Sequence, residues 1–192
     1  MNVLPYGDRA VLIDCDDLAE AQGWFAALDG HAEVVLGART VLVRGDVAQA
    51  RSLIARTRPS TAAATSGLSV EVPVTYDGPD LDDVAQLTGM SCDEVVDAHT
   101  ATEWTVAFGG FAPGFSYLIG GDPRLEVPRR NTPRTRVPAG AVGLAGPFSG
   151  IYPRESPGGW QVIGHTSLTL WDSERRPPAL LAPGTRVRFV IA

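Results

Sequence analysis

The sequence predicts an α+β protein with a β-rich C-terminal half, in which a small α/β domain precedes a larger sheet domain. Three observations indicate this division. Residues 1–57 alternate short runs of strand and helix periodicity. Residues 58–69 lack periodicity and are rich in small polar residues, as in a linker. The remainder, residues 70–192, contains short β-like runs separated by Pro and Gly, which favours a closed or strongly bent antiparallel sheet.

The first domain has the predicted order strand, helix, strand, strand, helix. The strands are Arg9 to Asp14, His31 to Leu36 and Arg39 to Val43, and the helices are Asp17 to Leu28 and Val47 to Arg56. The two later strands form a hairpin with apolar side chains available for burial, which are Val34, Leu36, Val41 and Val43. This order is that of an incomplete ferredoxin-like sandwich.

The second domain opens with a predicted strand, Val70 to Thr75, and two short helices. The first helix, Asp80 to Thr88, is expected to have an aspartate cap. The second, Ser91 to Thr100, begins with the serine and glutamate spacing of a capping box. The remaining predicted strands are Thr105 to Phe108, Val142 to Ala145, Gln161 to Gly164, Ser167 to Trp171 and Arg186 to Ile191.

Composition excludes several classes of function. The net charge of −6 argues against non-specific binding of nucleic acid, which requires a basic surface. No apolar run approaches the roughly 20 residues that span a bilayer, and the first residues lack the pattern of a signal peptide, so no membrane association is expected. Cys15 and Cys92 form no pair motif, which favours a reduced, cytoplasmic protein.

All sixteen Lys and Arg residues are arginine. The absence of lysine excludes a P-loop lysine, a Schiff base and a lysine general base. If the reaction uses ATP, the chain must bind it through arginine and backbone amides or leave it to a partner.

Two segments carry the strongest functional signal. Phe108 to Phe115 (FGGFAPGF) is predicted to be a loop with unusual backbone dihedral angles at its glycines. It either exposes backbone amides to a ligand or forms a tight barrel corner over packed aromatic side chains. Arg124 to Arg136 holds five arginines in thirteen residues. Such a segment is either a solvated ribbon or a site for anions or a partner, since guanidinium forks suit carboxylates and phosphates.

The isolated polar and aromatic residues are less specific. His31, His99 and His165 show no metal-ligand spacing, so no metal site is expected. His99 lies at the end of the acidic second helix, which favours its protonated form and a helix-end cap more than a catalytic base. Ser156 lacks the context of a serine-hydrolase triad. Trp160, beside two glycines, either stacks on a flat ligand or closes a barrel end.

Taken in order, five motifs resemble the KipI, or allophanate-hydrolase-subunit-1, family. They are His99-Thr100, FGGFAPGFSYL (108–118), PRRNTPRTRVPAG (128–140), SGIYP (149–153) and SPGGWQVIGHT (156–166). Members of that family include the B-subunit of 5-oxoprolinase and the carboxyltransferase portion of urea carboxylase. The resemblance departs from the family pattern at His165, where arginine is expected, and at Pro147-Phe148, where Gly-Gln is more usual.

The resemblance implies a cyclophilin-like β-barrel domain behind the small α/β domain. It also implies a hetero-oligomeric, ATP-dependent 5-oxoprolinase that opens 5-oxo-L-proline to L-glutamate. The implied partners are a KipA-type protein and a LamB/YcsF-type protein, with ATP and Mg²⁺ used by the assembled enzyme. Two alternatives stay open: a regulatory protein that inhibits a kinase, and the carboxyltransferase part of a urea carboxylase system with a biotin partner.

The candidate site residues come from these motifs and are expected to line one cleft that a partner shares. The candidate catalytic residues are His99, Arg130 and Arg134. The candidate substrate-binding residues are Gly109, Gly110, Phe111, Pro113, Gly114, Arg129, Arg136, Tyr152, Ser156 and Trp160.

Overall fold

The computed structural model describes residues 1–60 and 67–192. The chain divides into two compact units, Met1–Ala64 and Thr65–Ala192. The predicted linker, residues 58–69, includes residues 61–66, which lie outside the described residues. The predicted α+β fold class, with a sheet-rich larger unit, is confirmed.

The first unit is a four-stranded antiparallel sheet with two helices. Its elements are β1 (Asn2–Pro5), β2 (Ala10–Asp14), α1 (Leu18–Leu28), β3 (Glu33–Leu36), β4 (Thr40–Arg44) and α2 (Val47–Arg56). The strand order is β1-β2-β4-β3. Every element predicted here is present, and β1 is an addition that the sequence did not reveal. Because β1 pairs with the outer side of β2, it takes the edge position of the last strand in a ferredoxin-like sandwich.

Alternation along the central strands builds the core of this unit. Val11 and Ile13 on β2 and Val41 and Val43 on β4 are fully buried, as the period of two residues requires. Both helices pack on this sheet. The N-terminus of α1 is stabilised by Asp17, whose carboxylate accepts a hydrogen bond of 2.8 Å from the backbone N–H of Glu20.

The second unit contains two helices and nine strands within the described residues. The elements are β5 (Ser69–Val74), α3 (Leu81–Thr88), α4 (Cys92–Ala101), β6 (Trp104–Gly109), β7 (Ser116–Ile119), a 3₁₀ turn (Pro123–Leu125), β8 (Arg134–Val137), β9 (Ala141–Ala145), β10 (Phe148–Ile151), β11 (Ser156–Gly158), β12 (Gln161–His165) and β13 (Arg186–Ile191). Seven strands form one sheet in the order β12-β9-β10-β7-β6-β13-β5. The strands β8 and β11 form a separate pair.

The end strands of the seven-stranded sheet meet. Thr75 and His165 exchange two backbone hydrogen bonds of 2.9 Å, which link the end of β5 to β12. The sheet therefore nearly closes into a barrel, an arrangement that removes free strand edges. Its interior is filled by apolar side chains from facing strands, including Val72, Val106, Leu118, Val142, Leu144, Ile163 and Phe189.

Two predictions about this unit are wrong. The alternation of Leu168 and Leu170 with polar residues predicts a strand from Ser167 to Trp171. Leu170 is indeed buried, but its carbonyl accepts hydrogen bonds from Leu180 N–H and the Arg175 guanidinium instead of joining the sheet. The predicted cap of α3 is also missing, because the Asp80 side chain makes no cap hydrogen bond. The capping box of Ser91 and Glu94 at α4 is confirmed.

Candidate functional site

The glycine-rich loop joins β6 to β7 at one end of the barrel. Its turn is closed by backbone hydrogen bonds from Gly110 to Phe115 (3.2 Å) and from Phe115 to Ala112 (2.9 Å). Phe111 has a φ of 64° and Gly114 a φ of 83°, a region that side-chain-bearing residues seldom adopt. The loop is thus a tight corner over a buried ring, Phe115, and it also holds the Phe111 ring 59% exposed.

A small aromatic cavity lies beneath this loop. It has a volume of about 90 Å³ and is lined by Phe111, Phe115, Tyr117, Arg129, Tyr152, Gly158, Gly159 and Trp160. The Phe115 ring meets Tyr152 and Trp160 edge to face, each at a centroid distance of 5.3 Å. These contacts fix the rings against one another, so the cavity wall is rigid and apolar.

Polar groups reach the cavity at Tyr152 and Arg129. The Tyr152 hydroxyl oxygen accepts a hydrogen bond from the backbone N–H of Trp160. Burial raises the pKa of Tyr152 and outweighs the lowering effects of that bond and of the nearby Arg129 charge. Tyr152 therefore stays protonated at neutral pH and keeps one O–H donor.

A buried carboxylate, Asp80, organises the arginine segment. The Arg134 guanidinium donates two hydrogen bonds of 2.7 Å to Asp80, and the backbone N–H of Val162 donates a third, also 2.7 Å. Arg130 forms an ion pair with the same carboxylate. Burial alone would raise the pKa of the fully buried Asp80, but these bonds and both arginine charges outweigh it and lower the pKa.

The candidate site residues are therefore divided between different places. Phe111, Arg129, Tyr152 and Trp160 line the aromatic cavity, and Gly109, Gly110, Pro113 and Gly114 belong to the loop above it or its flank. Arg130 lines a separate groove of about 440 Å³. Arg134 pairs with Asp80, Arg136 pairs with the exposed Glu155 at 2.6 Å, and Ser156 bonds to the Arg154 carbonyl. No single cleft among the described residues contains the whole set, and the catalytic and binding roles stay predictions.

His99 lies in the barrel core, away from these cavities. Its ring is fully buried, stacks 4.2 Å from Phe189, and bonds to the Tyr76 hydroxyl (2.7 Å) and the Ser149 hydroxyl (2.9 Å). Burial lowers the pKa of His99 to about 3. The expectation that neighbouring acids favour protonation is wrong, because desolvation dominates over the charges of the helix surface.

The residues that depart from the family pattern do not line the aromatic cavity. His165 is half-exposed and pairs with Asp77 at 2.8 Å. Pro147 and Phe148 border a different cavity of about 160 Å³. The Phe148 ring nevertheless packs edge to face on Tyr117 at 5.5 Å, so it supports one wall of the aromatic cavity indirectly.

Several site residues were missed by sequence reasoning. Phe115, Tyr117, Gly158 and Gly159 lie within quoted motifs, so the motifs themselves carried the signal. Asp80 was missed because an aspartate before a helix is usually a cap, and its partners are 50 and 54 residues away in sequence.

The described residues contain no group of three or more His, Cys, Asp or Glu side chains that could hold a metal ion. The chain has no lysine for a phosphate, and Arg130 and Arg134 are already paired with Asp80. The small unit has another cavity, of about 270 Å³, but no aromatic side chain other than His31 borders it. Across the described chain, no helix is both long and apolar enough to span a membrane.

Comparison with known proteins relates the whole chain to one group. The family described as "Carboxyltransferase domain, subdomain C and D" matches residues 1–181. The 5-oxoprolinase B-subunit of Escherichia coli O157:H7 is 46% identical over 79% of this chain and 72% of its own length. The 5-oxoprolinase B-subunit of Haemophilus influenzae is 36% identical over 100% of this chain and 98% of its own length.

Solved structures share the fold. The crystal structure of TTHA0988 matches 96% of this chain with a TM-score of 0.80 and 33% identity, although the matched part is only 40% of that chain. The urea amidolyase of K. lactis matches 99% of this chain with a TM-score of 0.80, and this chain covers 15% of it. At 21% identity, that second likeness shows the fold alone.

Proposed function

Because the chain belongs to the family of carboxyltransferase domains, subdomain C and D, we propose that it is the barrel subunit of a multi-subunit, ATP-dependent 5-oxoprolinase. The proposed reaction opens 5-oxo-L-proline to L-glutamate in the cytoplasm. The names of the two relatives, one of them aligned along nearly its full length, support this assignment.

The aromatic cavity is the observation that best supports a contributing subunit rather than a complete enzyme. Its volume of about 90 Å³ is well below the roughly 300–1,000 Å³ of ordinary ligand sites. It presents apolar rings and hydrogen-bond donors, but no buried carboxylate or histidine lines it to move a proton. A second surface must therefore supply the reacting groups and cover the rest of the substrate.

Partner proteins complete the proposed enzyme. A KipA-type protein and a LamB/YcsF-type protein are the partners that the family resemblance implies. ATP and Mg²⁺ are assigned to those partners, since this chain has no lysine to contact a nucleotide phosphate. The exposed Phe111 ring lies beside the cavity and is a suitable point of contact for the covering surface.

Reconstitution tests this proposal. The chain is mixed with purified KipA-type and LamB/YcsF-type proteins from the same genome, and glutamate release from 5-oxo-L-proline is measured with and without ATP. We expect glutamate only when ATP and all three proteins are present. An inactive mixture, with the three proteins shown to associate, would rule out the proposed reaction.

A second candidate is the carboxyltransferase part of a urea carboxylase system. The family description favours it. Carboxylation of urea by a mixture of this chain with a biotin-carrying partner would support this candidate, and its absence would remove it. The kinase-inhibitor alternative stays a prediction.

A further inference from the structure

We propose that the aromatic cavity binds a small planar ring that carries a carboxylate, and that Arg129 pairs with that carboxylate. The inference rests on the proposed function, which it deepens by naming the group that this chain recognises. It predicts a specificity-determining role for Arg129 and a supporting, non-contacting role for Arg130 and Arg134.

The arginine segment leaves one guanidinium available beside the cavity. Four of the five arginines from Arg124 to Arg136 pair with carboxylates, and these pairs are Arg124–Asp122, Arg130–Asp80, Arg134–Asp80 and Arg136–Glu155. Arg129 has no such partner among the described residues, and it lines the aromatic cavity. An unpaired guanidinium fork at an apolar cavity is suited to a carboxylate supplied by a ligand.

The backbone around Arg129 is held on both sides. The backbone N–H of Arg130 donates to the Gly159 carbonyl at 2.8 Å. The Gln161 side-chain amide donates to the Pro128 carbonyl at 3.2 Å. Because Asp80 also anchors the next arginine, Arg129 projects from a fixed main chain, and its pairing with a ligand costs less ordering entropy.

The polar lining of the cavity selects for acceptors. The Tyr152 oxygen already accepts the Trp160 N–H, so its O–H remains as a donor. Arg129 offers donors only. A ligand edge that faces these groups must therefore carry acceptor oxygens, such as a ring carbonyl and a carboxylate. The surrounding rings supply flat, rigid surfaces for the apolar part of such a ring.

Cavity size excludes larger ligands. A volume of about 90 Å³, far below the roughly 300–1,000 Å³ of ordinary ligand sites, suits a small ring and not a nucleotide. Gly158 and Gly159 contribute to this space, and a Cβ at Gly158 would collide with the Tyr152 hydroxyl. A side chain at Gly158 would therefore displace the Tyr152 ring from its place in the cavity wall.

Binding to the purified full chain tests the inference directly. The probes are 5-oxo-L-proline, 2-pyrrolidinone, which lacks the carboxylate, and cyclopentanecarboxylate, which lacks the lactam. Saturation-transfer NMR is used because it detects weak binding. We expect 5-oxo-L-proline to bind at least about tenfold more tightly than 2-pyrrolidinone, the factor that about 1.4 kcal/mol of binding energy gives.

Substitution of Arg129 provides the second part of the binding test. Arg129→Ala is expected to reduce the affinity for 5-oxo-L-proline about tenfold and to leave 2-pyrrolidinone unchanged. Arg129→Lys should recover part of the loss, because it keeps the charge without the fork. The matched control is Arg124→Ala, which removes an exposed arginine of the same segment and should alter neither affinity. No saturable binding of 5-oxo-L-proline, or equal binding by the wild type and Arg129→Ala, would overturn the inference.

The two proposals fail in distinguishable ways. If the reconstituted mixture releases no glutamate while the Arg129-dependent binding pattern is present, the proposed function is wrong and the ligand class of the cavity stands. If the mixture is active and Arg129→Ala changes neither binding nor the KM for 5-oxo-L-proline, the proposed function stands and the assignment of Arg129 is wrong.

Discussion

Asp80 and Arg134 form a two-pronged ion pair in which both N–O distances are 2.7 Å and the carboxylate is completely buried. Asp80 and Arg134 are 54 residues apart in sequence, so their ion pair links the arginine segment to the start of α3. The same carboxylate binds Arg130 and the backbone N–H of Val162 on β12. One carboxylate thus joins three parts of the barrel domain.

The first prediction concerns Asp80→Asn. Removal of the charge leaves Arg134 without a carboxylate partner among the described residues and Arg130 with only the exposed Asp83 at 3.7 Å, so the free energy of unfolding should fall by about 3–5 kcal/mol. Glu155→Gln is the matched control, since its pair with Arg136 is exposed and should cost about 1 kcal/mol or less. Urea unfolding followed by circular dichroism measures the free energy of unfolding of both variants. A similar, small loss for the two variants would contradict the structural role of Asp80.

The second prediction concerns Arg130 and Arg134 themselves. Sequence reasoning expects alanine substitutions there to abolish the activity of the complex while the fold stays intact. The pairs with Asp80 instead predict that Arg134→Ala destabilises the chain and reduces activity through unfolding. A double-mutant cycle with Asp80→Asn checks this, because coupled residues give non-additive losses. Additive losses would show that the two side chains act independently.

The third prediction is a pH dependence that arises from His99. Its folded pKa of about 3 lies below the ordinary value of 6.5. The unfolded chain therefore binds a proton that the folded chain does not, and stability is complete above pH 6.5 and falls as the pH drops toward 3. The loss can reach about 5 kcal/mol at the lower limit. Asp80, whose pKa is lowered, adds a further loss below its unfolded value of about 3.9.

Stability measurements in urea at pH 7, 6, 5 and 4 test this dependence. His99→Gln should flatten the change between pH 6.5 and 4, since its side chain does not titrate. His165→Gln is the control, because this histidine lies on the surface beside Asp77. An unchanged slope in the His99 variant would show that another group causes the acid sensitivity.

The fourth prediction concerns Gly114→Ala in the glycine-rich loop. A Cβ at this position would lie 2.8 Å from the Cβ of Trp171, and the residue has a positive φ. Gly146→Ala is a matched control with a positive φ of 54° and open space around it. We expect the Gly114 variant to lose at least about 1 kcal/mol more stability than the control, which bears only the cost of the left-handed backbone. Thermal unfolding compares the melting temperatures of the two variants. Equal decreases would mean that the loop adjusts to the added Cβ at little energetic cost.

The fifth prediction separates the aromatic cavity from the neighbouring groove. Phe111→Gly removes an exposed ring and relieves the strain of its positive φ, so stability should change by about 1 kcal/mol or less. The activity of the reconstituted enzyme should nevertheless fall at least tenfold. Leu87→Ala, which alters an exposed side chain of the groove beside Arg130, should leave activity unchanged. Loss of activity in Leu87→Ala together with full activity in Phe111→Gly would indicate that the groove, and not the aromatic cavity, is the functional surface.

Local periodicity was sufficient to predict most helices and the longer strands, because those elements bury one face. It failed at β1, whose residues are largely exposed at a sheet edge, and at the four-residue strands β7 and β10 between glycines and prolines. At Ser167–Trp171 the alternation was real, but it reflected burial of Leu170, and the segment makes only an isolated bridge from Trp171 to Ala179 instead of joining a sheet. Burial can be inferred from a pattern, whereas hydrogen-bond partners cannot.

The candidate site was predictable only as a set of segments. The motifs included the loop, Arg129, Tyr152 and Trp160, which the fold brings together around one cavity. They could not show that Asp80 engages Arg130 and Arg134, since that contact joins distant parts of the chain. Nor could they show that His99 is fully buried, because the packing of one face of α4 against the barrel is a tertiary effect.

We propose that this barrel subunit is required for ATP-dependent opening of 5-oxo-L-proline. The most direct measurement is a titration of this chain into fixed amounts of the KipA-type and LamB/YcsF-type proteins, with glutamate release as the readout. We expect no glutamate release without the chain, and a rate of release that rises to saturation as the chain is added. Full turnover by the two partners alone, unchanged by added chain, would contradict it.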